Sequence, residues 1–258
     1  MSDVVVGILP AAGLGRRIAG LRWRKHLYPV GWEEVDVGGA LARRPRVVAA
    51  YALDAMVAAG ADRLIVIIGE QAEVMHHFGG FRGGVPIAYL YQDEPRGGAF
   101  ALDLSRSWLP DEHTILFGFP DTIVDPVDAY ARLLARHRAA GADLTLGLFP
   151  TDRPSQFGMV ELIGDRPLRV IDKPSRSNLR YLYGIAAWGP RVTSLLPELL
   201  VSAPIDREAV PGDLFQFAID RGLVATSVSF DDGRYLDVGT PSSLNEALTR
   251  FGDTTVRP

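Results

Sequence analysis

Cysteine is absent from this 258-residue chain. That excludes a disulfide framework, a thiolate metal site and a cysteine nucleophile. Lysine is nearly absent as well. Of 27 strong cations only Lys25 and Lys173 are lysines, and the rest are arginines. No excess of positive charge exists: the net charge is −4 and the pI is near 5.7. This argues against nucleic acid or anionic membrane as a general partner, so an anionic ligand needs a local cluster of cations. No apolar run approaches the roughly 20 residues that cross a bilayer. The opening "MSDVVVGILPAAG" is too short for a secretory signal, and Asp3 stands where a basic segment belongs. Repeats, charge runs and low-complexity tracts are missing too. The expectation is a soluble cytoplasmic protein.

Hydrophobic residues make up 47% of the chain, enough for a substantial core. In the first half, short β-branched or aromatic runs at 4–9, 63–69, 87–92, 114–119 and 142–149 fit buried strands. Between them, "PRVVAAYALDAMVAAG", "GGAFALDLSRSWL" and "DPVDAYARLLARHRAAG" carry apolar residues at helical spacing. Such alternation implies right-handed crossovers and a mostly parallel sheet. The second half reads differently. "GMVELIGDRPLRVIDKP" predicts an antiparallel hairpin with a Gly-Asp turn, and 179–189 predicts another strand. Helices are expected near 190–201, 212–221 and 241–251, with strands at 223–230 and 234–239. We expect one α/β unit over 1–258, its halves 1–150 and 151–258, with a small antiparallel subregion in the second.

"GILPAAGLGRR" sets a strand before a loop of small residues: Ala11, Ala12, Gly13 and Gly15. Small side chains let backbone N–H groups approach a phosphate, although an ordinary tight turn has the same composition. The dinucleotide fingerprint fails because Ile18 stands where its third glycine belongs, and no Gly-Lys-Ser/Thr is present for a Walker loop.

"LPAAGLGRR" followed by "RKHLYPV" resembles the signature of the sugar-1-phosphate nucleotidylyltransferases, the nucleotide-sugar pyrophosphorylases. The likeness continues in family order. "YQDEPRGGA" is similar to the segment that receives the nucleobase, and "FGFPDTI" to the strand carrying a first metal aspartate. "FGMVE" and "VIDKP" are similar to the sugar and sugar-phosphate segments, and "YLDVGTPSSL" to the motif of the second metal aspartate. The resemblance implies a Rossmann-like three-layer α/β fold, with 1–150 binding nucleotide and 151–258 binding sugar phosphate. It implies that an NTP and a sugar 1-phosphate, with Mg²⁺, give an NDP-sugar and pyrophosphate.

It also implies roles. Arg17 would polarise the leaving pyrophosphate. Lys25 would sit among phosphate oxygens as a compact point charge. Ala11, Ala12, Gly13 and Gly15 would cradle the nucleotide, with Gln92 reading the base through its amide and Gly97 admitting the ring. Gly158, Asp172 and Lys173 would take the sugar phosphate, and Asp121 and Asp237 would hold the metal. Each has a plainer reading. Asp121 and Asp237 also suit turns, Asp172–Lys173 a surface ion pair, and Gln92 a polar strand end. Both lysines nonetheless fall on motif positions.

This chain departs from the pattern at several points. Arg16 replaces a small hydroxyl residue, Asp172 replaces Glu, Phe100 replaces a polar residue, and "GWEEVDVGGALARRP" is inserted before the first helix. His76-His77 and 78–84 read as surface pair and loop, Asp213 as a helix cap, and the tryptophans as core or interface. dTTP or UTP is favoured. CTP or GTP, a non-hexose phosphate or phosphonate, and a non-catalytic nucleotide-sugar binder stay open, as does a homo-oligomer. A glycosyltransferase needs an Asp-x-Asp motif that the chain lacks.

Overall fold

The structure is a computed structural model that describes residues 3–13, 24–70, 72–203 and 207–252, with the backbone of 255–256. In chain order its elements begin with β1 (Val4–Pro10), β2 (Pro29–Val37), β3 (Ala40–Val47), α1 (Val48–Ala58), β4 (Arg63–Ile68), α2 (Glu73–Phe78), β5 (Phe81–Arg82) and β6 (Val85–Tyr91). There follow α3 (Gly98–Arg106), β7 (His113–Phe117), β8 (Thr122–Asp125), α4 (Ala129–Ala140), β9 (Leu144–Pro150), β10 (Gly158–Ile163), β11 (Arg166–Asp172) and β12 (Tyr181–Trp188). Last come α5 (Pro190–Thr193), α6 (Leu196–Ser202), α7 (Pro211–Asp220), β13 (Ala225–Ser229), β14 (Arg234–Asp237), α8 (Pro241–Phe251) and β15 (Thr255–Val256).

The main sheet runs β11-β10-β12-β7-β1-β4-β6-β5, with β9 on β12 and β13 on β9. Strands β7, β1, β4 and β6 are mutually parallel, while β12 runs antiparallel to β7, β9 and β10. The mixed, mostly parallel α/β sheet expected from the alternation is therefore present. Period-2 side-chain alternation divides each strand between two cores. Val5 and Leu9 of β1 join Leu53 and Met56 of α1 and Tyr130 and Leu133 of α4 on one face. Val6 and Ile8 join Leu102 of α3, Leu199 of α6 and Phe215 of α7 on the other. Burial on both faces explains why these strands read as continuous apolar runs. Gly7 marks a tight crossing: a Cβ there would lie 2.6 Å from Leu64 Cδ2 and 2.9 Å from Met56 Sδ.

One segment adds to the sequence reading and another corrects it. The inserted "GWEEVDVGGALARRP" lies within a β2–β3 hairpin turned by Gly38 and Gly39, at φ 65° and 88°. Only glycine adopts two such positive φ values readily, and Gly-Gly between strands is a primed-turn signal. The 78–84 stretch is not simply a loop either, because β5 pairs with β6 and Arg82 is buried at 8% exposure. The Arg82 guanidinium donates to Glu33 Oε2 at 2.5 Å and Asp54 Oδ1 at 2.5 Å. Arg44 reaches Glu33 at 2.7 Å and Arg46 reaches Asp54 at 2.6 Å. Five charges thus tie β2, β3, α1 and β5 together. Burial alone would push the Glu33 carboxyl up, but hydrogen bonds from Arg82 and Arg44 hold it below its ordinary value. His77 is only half exposed, and burial lowers its imidazole. Asp213 does cap α7, accepting from the Val210 N–H at 2.9 Å. Trp188 is core, whereas Trp108 is 61% exposed.

Candidate active site

The parallel strands deliver their C-terminal ends to one edge of the sheet, the place where open α/β sheets bind ligands. Beyond β1 come Ala12 and Gly13, beyond β6 comes Gln92, and beyond β7 come Phe119 and Asp121. Two adjoining cavities open there, of about 410 and 140 Å³, sharing Phe119, Lys173, Val210 and Pro211 in their walls.

The larger cavity collects Ala12, Gly13, Lys25, Gln92, Gly97 and Lys173. The smaller collects Asp121, Gly158, Asp172, Lys173 and Asp237. Residues far apart in sequence therefore converge, and Lys173 faces both spaces. Ala11 is the exception. Its N–H bonds Ile67 O at 2.6 Å and its side chain sits in the core, so it closes the sheet instead of facing the cavity. Gly15 and Arg17 lie outside the described residues.

Local structure explains each placement. Lys25 opens a single 3-10 turn, Lys25–Leu27, whose position is fixed by its successors. Leu27 and Val30 are buried, Tyr28 O accepts from Val48 N at 3.0 Å, and Tyr51 Oη donates to Val30 O at 2.9 Å. The first turns of α1 thus root the lysine. Arg24, just before it, donates to Gly13 O at 3.0 Å and holds the small-residue loop. His26 is 4% exposed, and its Nε2 has no hydrogen-bond partner among the described residues. Burial lowers His26 to about 4 against the pull of Asp121, so it adds no charge beside Lys25 at neutral pH.

Asp121 and Asp237 meet through the β8–β14 ribbon. Asp237 pairs with Thr122, and Val238 N donates to Asp121 O at 2.9 Å. Gly239 makes room for the second carboxylate: a Cβ there would lie 2.6 Å from Asp237 Oδ1. The Lys25 ammonium rests on Asp121 Oδ2, with the two side chains 19% and 12% exposed. A cation already stands against this carboxylate.

Lys173 has φ 42°, and it is the one non-glycine with positive φ among the described residues. Its N–H bonds Phe157 O at 3.0 Å, which holds the strained backbone in place. Left-handed backbone at a long side chain costs of order 1–2 kcal/mol and clusters at functional sites. Asp172 lies opposite Gly158 across β10–β11, and its carboxylate is 3.8 Å from the Lys173 ammonium. Gly97, at φ 113°, is demanded by packing as well: a Cβ would fall 2.5 Å from Ala209 O. Gln92 is 8% exposed and its Nε2 donates to Gly97 O at 3.4 Å.

Sequence reasoning missed the aromatic wall. Phe119, Phe157, Tyr183 and Tyr235 all line the smaller cavity. A signal existed, since Phe119 and Tyr235 each precede a motif aspartate by two residues and Phe157 directly precedes Gly158. A third cavity of about 390 Å³ opens against the ribbon strands and α8, beside Asp125, Arg234 and Arg250, and contains none of the sequence-predicted residues.

The nucleotidyl transferase family profile matches residues 42–253, most of the chain. The chain belongs to this family. Family relatives agree in kind. The glucose-1-phosphate thymidylyltransferase of Streptomyces griseus is 28% identical over 210 residues, 80% of this chain and 57% of that enzyme. The chain therefore spans little more than half of that relative's length. The UTP–glucose-1-phosphate uridylyltransferase AglF of Haloferax volcanii is 26% identical over 254 residues, 97% of this chain and 98% of AglF. A UTP-bound UGPase from Acinetobacter baumannii shares the fold at TM-score 0.77 and 16% identity, covering 96% of this chain and 93% of that one. The nucleotidyl transferase profile begins after Lys25, so the likeness at the glycine loop rests on the motif and on full-length relatives such as AglF.

Proposed function

We propose that this nucleotidyl transferase condenses an NTP, dTTP or UTP by preference, with a sugar 1-phosphate to release an NDP-sugar and pyrophosphate. The observation that carries the reading is the pair of adjoining cavities. One is walled by the small-residue loop, Lys25 and Gln92, the other by two aspartates and the Asp172–Lys173 pair, and Lys173 faces both. A nucleotide and an acceptor phosphate bound there would meet beside Lys173 and Asp121.

The reaction asks the protein for positioning and charge neutralisation, because an acceptor phosphate oxygen attacks the α-phosphorus in line as pyrophosphate leaves. Ala12 and Gly13 present backbone to the triphosphate. Gln92 has its Nε2 engaged with Gly97 O, leaving its carbonyl oxygen to accept an N–H such as the imide of uracil or thymine. Lys173 draws the acceptor phosphate into place, and Asp172 accepts from a sugar hydroxyl. Lys25 neutralises charge on the α-phosphate as it builds, and Arg17 is assigned to the leaving group by its motif.

The residues present fit Mg²⁺. Two carboxylates on neighbouring ladder positions, facing one cavity, are the one or two that this hard cation takes from protein, and an ammonium already stands against one of them. Asp121 and Asp237 would hold the ion, whose chemistry is to neutralise phosphate charge and orient the oxygens.

The test is pyrophosphate release, with Mg²⁺, across a matrix of NTPs and sugar 1-phosphates. Release with dTTP or UTP and at least one sugar 1-phosphate is expected. Background release throughout would reject the activity.

A further inference from the structure

We infer that Tyr183 is a specificity-determining residue that limits the acceptor by size, favouring unsubstituted sugar 1-phosphates over N-acetylated ones. The inference rests on the activity proposed above and concerns the acceptor half of that site.

The smaller cavity, about 140 Å³, adjoins the larger one at Phe119, Lys173, Val210 and Pro211. Tyr183 forms one wall of it. The ring is 5% exposed and lodges in space that two glycines vacate. A Cβ at Gly158 would lie 2.1 Å from Tyr183 Cε1, and one at Gly212 would lie 2.9 Å from the hydroxyl. Phe215 meets the ring edge-on at 5.2 Å and Phe119 stands 6.3 Å away. Gly158 thus has a second reason beside the one its motif implies. It accommodates a tyrosine first, and the tyrosine occupies depth that a larger acceptor would need.

The wall cannot yield easily. Retreat toward β10 meets the Gly158 backbone, retreat toward α7 meets Gly212 and Phe215, and packed interiors resist such shifts. Asp121, Thr122, Gln156, Asp172, Lys173 and Asp237 supply its polar side chains, while Phe119, Phe157, Tyr183 and Tyr235 present rings. An acetamido group turned toward the aromatic side finds both too little room and no polar partner in the ring faces.

The experiment compares kcat/KM for a graded series, a pentose 1-phosphate, glucose 1-phosphate and N-acetylglucosamine 1-phosphate, with the best NTP. Wild type and Tyr183→Phe should favour the unsubstituted acceptors at least tenfold over the N-acetylated one. Tyr183→Leu, which stays apolar against Phe215, should reduce that preference by tenfold or more, within the range that small changes in an apolar pocket produce. A wild-type preference near unity overturns the inference without any variant. A Tyr183→Leu enzyme slowed equally toward all acceptors also overturns it, because a merely structural role leaves the ratio unmoved. Turnover with an unchanged ratio leaves the proposed activity standing, whereas no turnover by wild type with any acceptor overturns both.

Discussion

Replacing Lys25 with glutamine should tighten divalent-metal binding to the substrate-free protein while destroying turnover. In the structure the Lys25 ammonium rests on Asp121, so an incoming cation must displace it. The side chains are only 19% and 12% exposed, which sets the pair above the roughly 0–1 kcal/mol of a surface bridge. Coulomb attraction at an effective dielectric near 20 is about 4 kcal/mol at 4 Å, and desolvation of both groups offsets much of it. A net of about 1–2 kcal/mol remains, equivalent to about 5- to 30-fold in metal affinity. Mn²⁺ titration followed by electron paramagnetic resonance reads this directly, without nucleotide. The Lys25→Gln protein should bind Mn²⁺ about tenfold more tightly and release pyrophosphate at least a hundredfold more slowly. Unchanged or weaker Mn²⁺ binding would show that Asp121 is not the metal's ligand, or that the lysine does not compete for it.

Three other substitutions probe separate parts of the argument. Lys173→Asn places a residue that tolerates the left-handed backbone at φ 42°. It should leave thermal stability equal or slightly higher while raising the acceptor KM at least tenfold, and an unchanged KM would remove Lys173 from the acceptor site. Gly97→Ala brings a Cβ 2.5 Å from Ala209 O at φ 113°. The strain, about 2 kcal/mol, should appear as a raised nucleotide KM and a lower melting temperature. Arg82→Met leaves Glu33 and Asp54 with only Arg44 and Arg46, and should destabilise by about 3 kcal/mol, the low end for breaking a buried pair. Glu33 is held below its ordinary value of 4.5, so its contribution is present above that pH and fades as pH falls through the lowered value. The deficit measured by urea unfolding should therefore be full at pH 7 and narrow below about pH 4.5. A deficit that does not vary with pH would mean that Glu33 is not Arg82's partner.

Much of the site was legible because chemistry restricts residue type at short range. Lysine stands out in an arginine-rich chain, and "VIDKP" and "YLDVG" place carboxylates and an ammonium directly after strands. The hairpin at 29–47 was less legible, since its strands are polar and its pairing depends on Gly38-Gly39 accepting positive φ twice. Arg82 could not be found from sequence at all. "FGGFRGG" reads as loop, and its arginine is buried only because Glu33 and Asp54, 49 and 28 residues away, supply the charge that makes burial tolerable.

The sequence by itself determined the sheet, because apolar runs buried on both faces have few alternatives, and it determined which residue types reach the sheet edge. Tertiary structure alone decided how those residues are used. It turned Ala11 into the sheet while leaving Ala12 at the cavity, and set the Lys25 ammonium on Asp121. It drove the Tyr183 ring into the gap left by Gly158 and Gly212. Each of these is a contact between segments distant in the chain. The local pattern fixes a side chain's chemistry and the face it starts from, and only packing fixes what that side chain meets.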